Sequence, residues 1–356
     1  MLRVTGRSHA VFIPTVTQKV PCRRGSIGKL LCIVAAAALA PAGVQAAAPV
    51  KQRVVVQYPM MKSGPAAKSL HKPARKPART ASEDLVLIDG QPVLSANAVM
   101  VVDLEDGRTI YGKNIESVTP IASITKLMTA MVVLDAELPL DEKMQIEIAD
   151  FDFLKATRSR LGLGTGLARR EMLRLALMSS ENRAAAALAR AYPGGALAFT
   201  VAMNRKASEL GMASTRFVDS TGLSSDNVST AQDLVMLVRA AYGYPLIREF
   251  TTTSAHEVEN LAGRHLTFGN TNGLVRSPEW EIGLSKTGYI RQAGRCLVMQ
   301  ARIAARPVVI VLLDSAAKHT RLSDANRIKR FLEMSMHRVP RLSDGTRSVS
   351  ASRPRA

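Results

Sequence analysis

The 356-residue sequence predicts an α+β fold in which an antiparallel sheet is flanked by helices and interrupted by a helical insertion. Strand-like apolar runs stand near both ends of the predicted domain, and the segments between them carry apolar residues at three- and four-residue steps. The strand-like runs are 98–103, 109–111, 282–290, 295–304 and 307–314. Only short separators divide the last three runs, which favours antiparallel hairpins.

The first elements lead into a serine that precedes a helix. Glu105-Asp-Gly107 separates the first two strand-like runs and is a hairpin signal. After Thr119-Pro120, apolar residues recur with helical period at Ile124, Leu127, Met128, Met131 and Leu134. This pattern predicts that Ser123 lies in the first turn of a largely buried helix, with Lys126 one turn later on the same face.

The middle of the sequence supplies the helical insertion. Residues 137–168 are predicted to be irregular, and their glycines fit neither a dinucleotide-binding nor a phosphate-loop pattern. Helices are predicted at 169–191, 196–210, 230–242 and 320–337. Ser180 and Asn182 interrupt the apolar character of the first of these helices.

The N-terminal residues predict export to the periplasm. Residues 1–46 contain six Lys or Arg and no acid, followed by an apolar run and small residues, as in a secretory signal peptide. An uncleaved anchor is the alternative, which Pro41 and the alanine-rich composition disfavour. A basic Pro/Lys/Arg-rich spacer is predicted at 47–92, a globular domain at 93–337 and a basic tail at 338–356.

Charge and composition limit the function classes. The net charge of +19 falls to +13 when the six leader charges are removed, which favours weak electrostatic contact with an anionic wall or membrane surface. Aromatic residues make up 4% of the chain and no nucleic-acid-binding motif is present, so nucleic acid is not an expected partner. Beyond the leader only Cys296 remains, in an apolar run that predicts a buried, inert thiol. The six histidines are scattered, so neither a metal nor another cofactor is predicted.

Three motifs in order carry the chemical information: Ser123-Ile-Thr-Lys126, Ser180-Glu-Asn182 and Lys286-Thr-Gly288. Similar Ser-x-x-Lys strings occur in the leader, the spacer and a loop near residue 315, and Ser225-Asp-Asn227 lies in a polar, turn-like stretch. Only the Ser123 string precedes a helix with a buried face. If the three motifs converge, they form a serine acyl-transfer site that uses no histidine.

Each residue of such a site has an expected role. Ser123 is the nucleophile, and Lys126 is its base if burial and the ammonium of Lys286 lower the pKa of Lys126. Ser180 relays a proton to the leaving amine. Asn182 binds the substrate amide, Lys286 and Thr287 bind a substrate carboxylate, and Gly288 allows close approach of the substrate backbone. The backbone N–H groups of Ser123 and Tyr289 are expected to form the oxyanion hole.

This motif set occurs in penicillin-binding proteins and class A β-lactamases. Together with four longer stretches, its order resembles the low-molecular-mass penicillin-binding serine DD-peptidases, in particular D-alanyl-D-alanine endopeptidases of the penicillin-binding protein 7 type. The stretches are 120–130, 177–186, 211–217 and 229–234. The resemblance covers residues 93–337 and implies a β-lactamase/transpeptidase-like fold. It also implies that the D-alanyl–diaminopimelate cross-links of peptidoglycan are the substrate and that β-lactams acylate Ser123.

Two departures and two alternatives accompany this resemblance. Ser220 stands where the family pattern has proline, which is expected to affect a turn rather than chemistry. No Asn has Glu four residues before it, so the deacylating Glu of class A β-lactamases is missing and a long-lived penicilloyl adduct is expected. The alternatives are a D-alanyl-D-alanine carboxypeptidase that trims pentapeptides and a non-catalytic wall-binding protein.

Overall fold

The structure is a computed structural model that describes residues 85–337 except 154, 156, 261–262 and 318. The predicted signal peptide at 1–46, the predicted spacer up to residue 84 and the predicted tail at 338–356 lie outside the described residues. None of the helices in the described part of the chain combines the length and apolar character that a membrane crossing requires.

The described residues form an α+β fold around a five-stranded antiparallel sheet, as the sequence predicts. The strands are β1 (Leu87–Ile88), β2 (Gln91–Pro92), β3 (Ala98–Asp103), β4 (Thr109–Lys113), β5 (Thr119–Pro120), β6 (Lys143–Gln145), β7 (Gly166–Ala168), β8 (Val228–Ser229), β9 (Ala255–Glu259), β10 (His265–Gly269), β11 (Glu281–Ile290), β12 (Gly294–Ile303) and β13 (Arg306–Ser315). The helices are α1 (Thr125–Asp135), α2 (Arg169–Met178), α3 (Asn182–Arg190), α4 (Gly195–Glu209), α5 (Ala231–Tyr242), α6 (Pro245–Thr252) and α7 (Thr320–His337).

The central sheet joins the two ends of the domain. Its strand order is β11-β12-β13-β3-β4, and β3 pairs with β13 from Ala98 opposite Leu313 to Asp103 opposite Val308. Successive side chains of a strand point to opposite faces, so alternate residues of β3 enter two different cores. Ala98, Met100 and Val102 pack with helices of the insertion, whereas Val99 and Val101 pack with α7. Because both faces are covered, these strands are apolar throughout rather than alternating.

Two features of the insertion differ from the sequence prediction. The single helix expected at 169–191 is two helices, because Ser180 adopts a left-handed backbone with φ of +61° between α2 and α3. The sequence analysis also missed helix α6 and the β9–β10 hairpin, which lie between α5 and the last three strands. The helix expected after Pro120 is present, although it starts with a 3-10 turn at Ala122–Ile124 before α1.

Candidate active site

Ser123 lies in the 3-10 turn that enters α1, and neighbouring segments hold this turn tightly. Ala122 has φ of +48°, a strained conformation for a residue with a Cβ. Gly222 packs directly on the turn: a Cβ at this residue, whose φ is +78°, would stand 2.0 Å from the Ala122 carbonyl oxygen. Glycine is therefore required at 222, and the turn that carries the serine is fixed by a loop about one hundred residues later.

Lys126 is fully buried one turn after Ser123, and its ammonium donates three hydrogen bonds. The acceptors are Ser123 Oγ at 2.9 Å, Asn182 Oδ1 at 2.8 Å and the Thr221 carbonyl at 2.5 Å. Burial lowers the pKa of Lys126 to about 7, although the carboxylates of Asp219 and Glu181 oppose this shift. At neutral pH a large fraction of Lys126 is thus uncharged and able to accept a proton from the Ser123 hydroxyl.

The break between α2 and α3 places the second motif in the same site. Ser180 occupies the left-handed position of the break, and Asn182 begins α3. Asn182 reaches Lys126 through its side-chain oxygen, and its amide nitrogen donates to Thr157 Oγ1 at 3.2 Å. Glu181 points elsewhere and accepts a hydrogen bond of 2.6 Å from the Ser159 hydroxyl.

The third motif lies on β11, and its lysine is buried behind the cleft wall. Lys286 is 1% exposed, and its ammonium donates to Ser180 Oγ at 2.9 Å and to the Thr287 carbonyl at 3.0 Å. Burial lowers the pKa of Lys286 well below its usual value, and the charges of Lys126 and Arg321 lower it further. Burial is thus the largest cause of the lowered pKa at both lysines.

Gly288 brings β11 against the turn that carries the serine. A Cβ at 288 would lie 2.8 Å from the Ile121 carbonyl oxygen and 3.2 Å from the Ser123 backbone nitrogen. The glycine is thus needed for contact between two segments of the protein, besides the close approach of substrate that the sequence suggested. It also sets the Ser123 backbone nitrogen close to the strand that continues into Tyr289, the other expected oxyanion-hole residue.

These elements border a cleft of about 870 Å³. Ser123, Ser180, Asn182, Thr287 and Tyr289 line it, while Lys126 and Lys286 lie behind its wall. Among the described residues, four cations also line the cleft, namely Lys155, Arg291, Arg295 and Arg321, and none of these lining residues is an Asp or a Glu. The cleft therefore suits an anionic substrate.

Three neighbours of the candidate site residues were missed by the sequence analysis. Thr221 contributes a backbone carbonyl to Lys126, and Arg321 of α7 donates to the Gly288 carbonyl at 3.2 Å. The Thr287 hydroxyl donates to Thr271 Oγ1 at 2.7 Å, which orients it at the cleft. No sequence signal identifies a backbone acceptor, but the basic residues of α7 could have suggested a cation near the third motif.

The other sequence candidates lie elsewhere. Asn227 of the Ser225 string is buried, and its side chain accepts from the Val218 and Asp219 nitrogens, so it fixes a loop. Cys296 is buried as predicted, and burial raises the pKa of its thiol to about 11. Ser220 donates to the Ala185 carbonyl at 3.0 Å and so ties the loop before Thr221 to α3.

The chain has related proteins of known name and structure. It is 50% identical over 247 residues to the D-alanyl-D-alanine endopeptidase of Pseudomonas aeruginosa, a match that covers 68% of this chain and 79% of that protein. The crystal structure of the Streptomyces K15 DD-transpeptidase matches with a TM-score of 0.63 at 30% identity and covers 68% of this chain and 98% of that one. Penicillin-binding protein D2 of Listeria monocytogenes, solved in an ampicillin-bound form, matches with a TM-score of 0.58 at 32% identity, covering 67% of this chain and 97% of that one.

The match to a protein family covers most of the described domain. Residues 86–317 match the family described as D-alanyl-D-alanine carboxypeptidase, peptidase family S11. This range starts one residue before β1 and ends just before α7, and it contains all three motifs. The predicted resemblance and the predicted fold are thus confirmed, and the chain belongs to the S11 family of D-alanyl-D-alanine peptidases.

Proposed function

We propose that this protein is a serine D-alanyl-D-alanine endopeptidase that cleaves the D-alanyl–diaminopimelate cross-links of peptidoglycan through an acyl-enzyme on Ser123. The observation that carries the proposal is the hydrogen bond between the Ser123 hydroxyl and the buried Lys126 amine, at the floor of a cationic cleft. The half-identical relative named as an endopeptidase supports this specificity over pentapeptide trimming.

Acylation starts with proton transfer within the first motif. Neutral Lys126 takes the proton of the Ser123 hydroxyl, and Ser123 Oγ bonds to the carbonyl carbon of the D-alanine that forms the cross-link. The carbonyl oxygen becomes an oxyanion that accepts hydrogen bonds from the backbone N–H groups of Ser123 and Tyr289. The Thr221 carbonyl and Asn182 keep the Lys126 amine in place during the transfer.

The second motif serves the leaving amine. Lys286 donates to Ser180 Oγ, so the Ser180 hydroxyl hydrogen is free to point at the substrate nitrogen. When the C–N bond breaks, the Ser180 hydroxyl gives its proton to the leaving amine. Ser180 then takes up the proton that Ser123 had lost to Lys126, so Ser180 is again a hydroxyl and Lys126 is again neutral. Water then attacks the acyl-enzyme, Lys126 again acts as base, and Ser123 is regenerated.

The remaining residues bind the substrate. The Thr287 hydroxyl and the positive charges of Lys286 and Arg321 bind the carboxylate beside the scissile amide, and Asn182 binds the substrate amide. A β-lactam carries a carboxylate in the equivalent position and acylates Ser123 in the same way. Because the sequence lacks the deacylating Glu, the penicilloyl adduct on Ser123 should persist much longer than the acyl-enzyme of a class A β-lactamase.

Localisation and domain limits are part of the proposal. The signal-like residues 1–46 support export to the periplasm, where peptidoglycan is reached. The basic spacer at 47–92 then provides weak electrostatic attraction to anionic wall or membrane surfaces, ahead of the peptidase domain at 93–337 and the tail at 338–356.

The test is LC–MS of the chain from residue 47 onward, and of its Ser123→Ala variant, incubated with cross-linked muropeptide dimers and with pentapeptide monomers. We expect the parent chain, but not the Ser123→Ala variant, to release monomers from the dimers. Free D-alanine from pentapeptides with intact dimers would indicate a carboxypeptidase. Absence of any product would support a wall-binding protein instead.

A further inference from the structure

The cleft wall beyond Thr287 carries more positive charge than one carboxylate requires. Arg291, Arg295 and Arg321 line the same cleft, and no acidic residue is found among the lining residues that the structure describes. In the described part of the chain, none of the three arginines forms an ion pair with a carboxylate. Clusters of like charge without a counterion are unfavourable unless a ligand supplies the opposite charge.

Arg295 is held at this wall by its neighbours on the sheet. It lies on β12 opposite Tyr289 of β11, and its guanidinium carbon stands 4.3 Å from the centre of the exposed Tyr289 ring. Its Nε is buried and has no hydrogen-bond partner among the described residues. A cation–π contact with a ring restrains the position of a guanidinium, while its N–H groups stay able to bind a carboxylate.

Arg321 is the neighbouring cation and is already partly engaged. It donates to the Gly288 carbonyl at 3.2 Å and to the Cys296 carbonyl at 3.4 Å, which aims it at the third motif. Its Nε is also buried without a partner in the described residues. Burial and the charge of Arg295 both lower the pKa of Arg321, because the two guanidinium groups repel each other.

We infer that Arg295 forms a second anion subsite on the leaving-group side of the cleft, which binds a carboxylate of the acceptor peptide other than the one beside the scissile amide. This inference rests on the proposed function. Free D-alanine, the leaving group of a carboxypeptidase, has a single carboxylate, whereas the peptide released from a cross-link has others. Arg295 is therefore a specificity-determining residue that favours cross-linked dimers over pentapeptides.

The experiment compares two dimers that differ in charge only. In one dimer the acceptor peptide is native; in the other, its carboxylates are amides except for the one beside the scissile bond. We expect Arg295→Gln and amidation each to lower kcat/KM about tenfold, with no further loss when they are combined. Arg302→Gln is the matched control, because Arg302 lies on the same strand but pairs with Glu281 at the exposed surface.

A second readout separates binding from a structural effect. Benzylpenicillin has only the first carboxylate, so its acylation of Ser123 should be unchanged in Arg295→Gln. Equal losses with both dimers, or a matching loss of acylation, would overturn the inference. Dimer cleavage at the parental rate by Arg295→Gln would overturn the inference alone, whereas no cleavage by the parent chain would overturn the proposed function with it.

Discussion

The two buried lysines of the site have the same side chain and nearly the same burial, but their surroundings differ. Lys126 of α1 has three hydrogen-bond acceptors, and the carboxylates of Asp219 and Glu181 oppose the effect of burial on its pKa. Lys286 of β11 has two acceptors, and its charged neighbours are the cations Lys126 and Arg321.

This difference explains why Lys126 can act as a base and why Lys286 can bind an anion. The acidic neighbours keep the pKa of Lys126 at about 7, where it can both accept and return a proton. Lys286 has cations instead, so a substrate carboxylate would be the counterion that stabilises its charged form. We infer that binding of that carboxylate raises the pKa of Lys286 again.

The largest expected effect comes from keeping the charge of Lys126 while removing its basicity. Lys126→Arg should slow acylation of Ser123 by benzylpenicillin about 10³-fold, because a guanidinium stays protonated and cannot act as base. Stopped-flow measurement with a fluorescent penicillin checks this. Lys126→Met should be equally slow, and near-parental acylation in either variant would refute the assignment of the base.

The same pair of substitutions at Lys286 should give a different pattern. Lys286→Met should lower the acylation rate about 10- to 100-fold, because a charge-assisted contact is lost. Lys286→Arg keeps the charge and should retain more of the rate than Lys286→Met. If the arginine and methionine variants were equally slow, as expected at Lys126, the contrast between the two lysines would be wrong.

The site could be predicted from the sequence where the chemistry is local. Ser123 and Lys126 are one helical turn apart, and the string Lys286-Thr-Gly288 occurs once. Both motifs could therefore be recognised from the sequence alone. The Thr221 carbonyl could not be predicted, because a backbone acceptor has no residue signature and lies 95 positions from Lys126. Arg321 was missed for a different reason: its basic side chain is visible in the sequence, but only the packing of α7 on the sheet brings it to Gly288.

The fold shows the same limit. Five strands and the closing helix follow from apolar runs, because burial on both faces leaves a strong pattern. The break at Ser180 does not follow from the apolar pattern, because its φ of +61° is unfavourable for a serine. Tertiary contacts stabilise this conformation, among them the hydrogen bond from Lys286 to Ser180. Local propensity favours a continuous helix there, and tertiary contacts override it.

A smaller effect is expected at the loop that supplies the Thr221 carbonyl. Ser220→Ala removes the hydrogen bond to the Ala185 carbonyl and should lower the free energy of unfolding by about 1 kcal/mol. Urea denaturation measures this change, and Ser208→Ala on the exposed face of α4 is the control. The acylation rate should change by less than about threefold, because only the loop readjusts. A Ser220→Ala protein as stable as the parent would show that this bond does not hold the loop.

The most direct test that Lys126 is the base is the pH dependence of Ser123 acylation by benzylpenicillin. The range from about pH 5.5 to about pH 9 spans the Lys126 pKa. Acylation needs neutral Lys126, so its second-order rate constant should rise as the pH increases through about 7 and level off above it. Below that pH the rate should fall about tenfold for each pH unit. A profile that is flat across neutral pH, or that rises only near the ordinary lysine pKa, would contradict the claim that burial makes Lys126 the base.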